Sequence, residues 1–169
     1  LGDVYKRQVL NKVSHPSYLR LGRCEKPPEL RLLSYSPWRK LLSGGGIPIL
    51  VIGPLAGLFW SYCVELEGNK RPELWVLSEL PESNIEKIPT EFLSHIEDRG
   101  LCVVEEHGLQ GSVGQQLAAL LMSGGFTPPQ FLHCYAKGYP SGTYGSQSFH
   151  RRESGLEPGQ VMEALGIAP

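Results

Sequence analysis

Charge of one sign is nowhere concentrated in this sequence. Its 169 residues hold 16 basic and 17 acidic side chains, a formal net charge of −1, scattered along the chain. A nucleic-acid or membrane surface built on a basic field is therefore not expected. Long apolar runs are lacking as well. The longest, Ile47 to Cys63, contains Pro48, Gly53, Pro54 and Gly57 and is too short and too broken for a membrane span. Cysteine is sparse: Cys24, Cys63, Cys102 and Cys134 are far apart, and no two have the close spacing of a zinc-binding pair. Cys63, Cys102 and Cys134 each sit within an apolar run, where a free thiol behaves as a small hydrophobe. That usage fits a reduced, cytoplasmic setting. Internal repeats and low-complexity tracts are also missing.

What remains suits a globular core. The hydrophobic fraction is 41% and the aromatic fraction 9%, and the length fits one compact domain with residues to spare. Leu1 to Gln8 resembles translated adapter sequence. Such a start predicts a truncated reading frame, with residues 1–8 artefactual and set aside from the fold. Residues 9–23 end in a short strand expected at Tyr18, Leu19 and Leu21. Residues 24–30 contain the adjacent Pro27 and Pro28, which cannot donate to a sheet and favour extended backbone, so a linker is expected there.

From residue 31 to 169 strands and helices alternate. Leu30 to Leu42 predicts one or two short strands around the Ser36-Pro37 turn. Ile47 to Ile52 is a continuous apolar run, the pattern of a strand buried on both faces. Pro54 to Glu67 predicts a helix with proline near its first turn. Leu74 to Leu77 is the next strand. Thr90 is the expected cap of a helix over Glu91 to Asp98, closed by Gly100. Leu101 to Val104, Ser112 to Met122, Phe131 to Tyr135 and Pro158 to Leu165 continue as strand, helix, strand and helix. The pattern predicts an α/β domain of three layers: a mostly parallel sheet of about five strands with helices on both faces.

Several residues could carry chemistry. Glu105-Glu106-His107 stands at the carboxyl end of a strand and ahead of a helix, where open α/β sheets take ligands. Paired carboxylates with an imidazole suit acid–base work. No nucleophile or metal set accompanies them, and a structural role is the expectation. Gly108, Gly111 and Gly114 precede or open the next helix and could cradle a phosphate on backbone N–H groups. Their spacing fits neither the Walker loop nor the dinucleotide fingerprint, so tight turning and close helix–sheet contact are expected instead. His150, Arg151 and Arg152 form the compact basic cluster, read as a solvated surface loop. His133, inside a strand, is expected to be a satisfied core imidazole, and His15 and His95 are scattered.

Three ordered segments resemble the transketolase family, across roughly residues 13 to 169. Pro16-Ser17-Tyr18-Leu19-Arg20-Leu21-Gly22-Arg23 is similar to the strand that closes that family's pyrimidine-binding domain. Ile49-Leu50-Val51-Ile52-Gly53-Pro54-Leu55 resembles the opening strand and turn of its C-terminal domain. Val103-Val104-Glu105-Glu106-His107, followed by Gly111-Ser112-Val113-Gly114, resembles the strand, turn and helix at the middle of that domain. Lys137 to Gln147 departs from the family pattern, where a shorter Gly-rich turn is usual.

The resemblance implies a domain plan of 9–23 as the end of a pyrimidine-binding domain, 24–30 as linker and 31–169 as a transketolase-like C-terminal domain. It implies a parent enzyme that transfers two-carbon ketol units between sugar phosphates, using thiamine diphosphate and Mg held by domains outside this chain. No Gly-Asp-Gly metal motif followed by an asparagine occurs here, and no catalytic residue is assigned. Arg23, and secondarily Arg20, resemble positions that contact the substrate phosphate. The implied partners are the missing pyrimidine- and diphosphate-binding domains or subunit, in a homodimer of the parent. Related readings are the beta subunit of a 2-oxoacid dehydrogenase, a deoxyxylulose phosphate synthase, or, on fold alone, a stand-alone flavodoxin-like binding module.

Overall fold

Apolar runs and capping residues divide the chain into ten main elements, seen in a computed structural model that describes residues 16, 18, 26–31, 34–80 and 83–167. In order these are β1 (Trp38–Leu42), β2 (Pro48–Ile52), α1 (Ala56–Cys63), β3 (Glu73–Leu77), α2 (Thr90–Arg99), β4 (Leu101–Val104), α3 (Val113–Ser123), β5 (Phe131–Cys134), α4 (Gln147–Ser154) and α5 (Pro158–Ala164). The strands form one sheet in the order β1-β3-β2-β4-β5. β1 runs antiparallel to β3, with a register shift between Lys40 and Leu42, and every other neighbouring pair is parallel.

β2, β3 and β4 are buried at every position, as parallel strands covered on both faces must be. Successive side chains point to opposite faces, and two separate cores result. On one face Leu50, Ile52, Trp75, Leu77, Leu101 and Val103 pack with Phe92, Leu93 and Ile96 of α2 and Val113, Leu117 and Leu121 of α3. On the other, Ile49, Val51, Leu74, Cys102 and Val104 pack with Phe59 and Cys63 of α1 and Val161 and Met162 of α5. The three-layer, mostly parallel architecture is thus the one the sequence predicts.

Several boundaries differ from expectation. The helix expected over Pro54 to Glu67 is a short 3-10 turn, Gly53–Leu55, followed by α1, which stops at Cys63. Arg71 ends it early: its Nε donates to the Leu66 carbonyl (2.6 Å) and its Nη2 to the Val64 carbonyl (3.0 Å), taking the oxygens that follow the last turn. Thr90 is the first helical residue rather than the cap, a position held by Pro89. Only one strand, β1, forms between residues 34 and 42. Within the expected linker, Leu30 N donates to the Pro27 carbonyl (3.1 Å), closing a turn that leaves Leu30 buried. The strand expected at Tyr18, Leu19 and Leu21 lies mostly outside the described residues.

α4 is an addition. Residues 147–154 read as polar loop, yet Ser146 caps a helix by accepting from Phe149 N (3.2 Å), and Gly155 closes it at φ 74°.

The helix after β2 lies on one face and the helix after β4 on the other. The two connections diverge between the carboxyl ends of these neighbouring strands, the place where an open α/β sheet takes a ligand.

Candidate functional site

β4 leads directly into Glu105, which is fully buried at 0% exposure. Its carboxylate turns toward the start of α3. Val113 N donates to Oε2 (3.1 Å) and Gly114 N to Oε1 (2.8 Å). His133 Nε2 lies 2.8 Å from Oε1, within hydrogen-bond distance. His107 Nδ1 lies 3.7 Å from Oε2 on the more open side. Ser112 completes the helix start by accepting from Gln115 N (3.3 Å).

A helix N-terminus gathers unpaired N–H groups and positive potential, and is a ready anion site. Here the anion is the chain's own side chain. The glycines serve this arrangement rather than a phosphate. Gly111 turns the chain at φ 70°. Gly114 admits the imidazole of His133, which a Cβ at that position would meet at 2.4 Å. Glu105 and His133 together are an acid–base couple in kind, but with its oxygens engaged and its side chain enclosed, Glu105 presents no face to a substrate. The structural expectations for Glu105 and His133 hold.

Its neighbour Glu106 faces outward and anchors α4. Gln147 Nε2 donates to both of its oxygens (3.0 and 2.9 Å), and Arg151 Nε lies 3.4 Å from Oε1 as an ion pair. His150, Arg151 and Arg152 therefore belong to a docked helix and not to a solvated loop. His150 Nε2 accepts from Gly145 N (3.2 Å) and its ring meets Tyr139 edge-on at 5.2 Å. Only Arg152 of the three is exposed.

A second polar cluster, not anticipated from sequence, lies at the opposite end of the strands. Glu73 opens β3 and is 2% exposed. Trp75 Nε1 donates to its Oε1, while His95 Nδ1 (2.7 Å) and Arg99 Nη2 (3.4 Å) approach Oε2. Arg99 Nη1 donates in addition to the carbonyls of Gly44 (3.2 Å) and Gly46 (2.9 Å). Glu91, one turn before His95, pairs with Lys40. Glu73, Glu91 and His95 bring their ligand atoms within 4.8 Å of one another, close enough in principle for a metal ion. Lys40 and Arg99 already neutralise the two carboxylates, and a cation there would face both. The cluster acts as a strut joining α2 to β3 and to the Gly44–Gly46 turn. The helical spacing of Glu91, His95 and Arg99 was its one visible signal.

Arg20 and Arg23 lie outside the described residues. Among the described residues no helix is long and apolar enough to cross a membrane.

Comparison with known proteins adds the fold relationship. No protein-family profile matches the sequence, and no curated protein matches it. Among solved structures the chain is similar to one described as "Split gene transketolase, inactive beta4 tetramer", with a TM-score of 0.71 at 20% identity. The fold is a transketolase-family fold. The match covers 95% of this chain and 52% of that one, so the chain spans about half the length of the transketolase-family structure it resembles. The five-stranded mixed sheet and its two helical layers correspond to a transketolase C-terminal-domain-like α/β unit.

Proposed function

We propose that this chain is the C-terminal accessory domain of a transketolase-like, thiamine-diphosphate-dependent enzyme working in a reducing cytoplasm. Its task is to support the assembly and help shape the substrate channel, not to perform chemistry. The observation that carries this reading is the buried Glu105. At the point in the sheet where a ligand would enter, the helix N–H groups are already paired with a side chain of the same chain. The transketolase-family fold supports the same reading.

In the assembled enzyme, two-carbon ketol units pass between sugar phosphates. Thiamine diphosphate and Mg rest on companion pyrimidine- and diphosphate-binding domains, and the bound cofactor supplies the carbanion chemistry. Arg23, and secondarily Arg20, would contact the substrate phosphate, for which a planar guanidinium offers two parallel donors. The domain also contributes contacts to a homodimer of the parent.

Supplied with thiamine diphosphate, Mg2+ and a ketose phosphate, the purified chain is expected to show no turnover. Ketol transfer should appear when the companion domains are co-expressed with it. Turnover by the isolated chain would overturn the accessory role. In the assembled enzyme Arg23→Ala should weaken phosphorylated substrates selectively. Equal losses for phosphorylated and unphosphorylated sugars would remove Arg23 from the phosphate site.

A further inference from the structure

β5 ends the sheet on one side, and among the described residues no strand lies beyond it. It pairs with β4 in unbroken register from Phe131 to Cys134. From Phe131 to Ala136 there is no Asp, Glu, Lys or Arg, and Phe131 is 37% exposed. A regular, uncharged and partly apolar edge invites another strand.

The bonds to β4 show which backbone groups are on offer. Leu101 N donates to the Gln130 carbonyl (2.8 Å) and Glu105 N to the Cys134 carbonyl (3.0 Å). Successive residues of a strand face opposite neighbours, so Gln130, Leu132 and Cys134 turn their N–H and C=O toward β4. Phe131, His133 and Tyr135 turn theirs outward. The rings of His133 and Tyr135 lie 5.0 Å apart on one face, so the alternation continues to Tyr135. This outward run is bounded at both ends. Pro129 has no N–H to offer, and Lys137 N already donates to Ser154 Oγ (3.1 Å). The open groups are therefore centred on His133.

We propose that this edge pairs with β5 of a second copy of the chain, antiparallel about a two-fold axis at His133, so that one sheet runs through a dimer.

Register, side chains and charge choose a second copy as the partner. Because the open groups are spaced evenly about His133, a two-fold axis sets Phe131 opposite the partner's Tyr135 and His133 opposite its counterpart. Every outward N–H then meets an outward C=O. Phe131 gains an aromatic cross-strand neighbour, and Leu132 comes opposite Cys134 on the other face. A two-fold axis lays an edge against itself, and like charges placed opposite one another repel; this edge carries none. The arrangement also closes. Head-to-tail pairing of β5 with β1 would grow into an open filament, and β1 bears Arg39 and Lys40, whereas β5 with β5 stops at two copies.

The pairing deepens the homodimer contact proposed above and rests on that reading for its place in the parent enzyme. The test is sedimentation equilibrium and hydrogen exchange of the full chain over a concentration series. The mass should rise from 18.7 kDa toward twice that value. The Phe131, His133 and Tyr135 amides should gain protection in step with it. Phe131→Lys puts a cation on the edge, and Phe131→Pro removes an outward N–H while sparing the bonds to β4. Both should keep the mass near 18.7 kDa with the circular dichroism of the parent chain. Exchange in the unsubstituted chain decides the matter even where a variant unfolds. A monomer at every concentration, a dimer without protection at these amides, or growth past two copies would sink the pairing. A dimer that survives both substitutions would sink it too, while leaving the homodimer reading in place. Turnover by the isolated chain would instead remove the accessory role and leave the pairing standing.

Discussion

Gly114 and His133 are fitted to each other: the imidazole occupies the space a methyl group on Gly114 would need, 2.4 Å from the ring nitrogen and carbon. The ring cannot retreat freely, because Glu105 holds its Nε2 at 2.8 Å.

Gly114→Ala should therefore destabilise the domain. Removing a helical glycine favours folding by up to about 1 kcal/mol, but overpacking at a fixed neighbour costs about 1–3 kcal/mol, and loss of the His133 bond adds to it. A net loss of about 2 kcal/mol is expected in urea unfolding. A stabilised variant would show that the ring moves aside at little cost.

Glu105→Gln tests the internal anion. The amide keeps one acceptor but turns its NH2 toward groups that are themselves donors. A loss of about 3 kcal/mol is expected from the unpaired buried groups. Faster amide exchange at the first turn of α3 should accompany it. A loss under about 1 kcal/mol would mean that α3 is held by packing alone.

Recognising these parts from sequence succeeds where hydrophobic pattern decides and fails where contact decides. The short run from Ile49 to Ile52, rich in β-branched residues and bounded by Gly44–Gly46 and Gly53-Pro54, announces a strand covered on both faces. Glu105 and Glu106 are identical in type and adjacent, yet one is enclosed at the start of α3 and the other is partly exposed and pairs with α4. The choice depends on where the amides of α3 arrive, which no local pattern encodes. α4 is concealed by its own composition. Its packing is mostly polar, through Gln147 and Arg151 to Glu106, so it lacks an apolar stripe. Glu73 gives no local signal because His95 and Arg99, which approach its second oxygen, come from α2.

Arg99→Ala should remove donors to the Gly44 and Gly46 carbonyls together with an ion pair to Glu73. Charge-assisted bonds of this kind contribute about 1.5–3 kcal/mol, so a stability loss near 2 kcal/mol is expected. Hydrogen exchange should quicken in the Gly44–Gly46 turn before it does in β4. Uniform quickening throughout the domain would argue against a local strut.

Alkaline pH should expose Tyr35. Burial raises its phenol to about 12, with the hydrogen bond and negative charge of Glu79 acting the same way and Arg39 opposing. A folded value above the unfolded one, about 10, favours the native state below that pH. The contribution is lost as pH climbs from about 10 to about 12. Tyr35→Phe should show a shallower fall in stability across that window than the parent chain. Parallel curves would mean that the Tyr35–Glu79 contact of 2.6 Å is not maintained in solution.

The outermost strand on the β1 side has a consequence for assembly. Trp38–Leu42 runs against its neighbour, slips register between Lys40 and Leu42, and carries two cations, Arg39 and Lys40, in five residues. A rim that is kinked and charged is a poor template for a foreign strand. Growth of a larger complex by strand addition is therefore disfavoured along that border, which leaves the β5 edge, the helical faces and the loop ends.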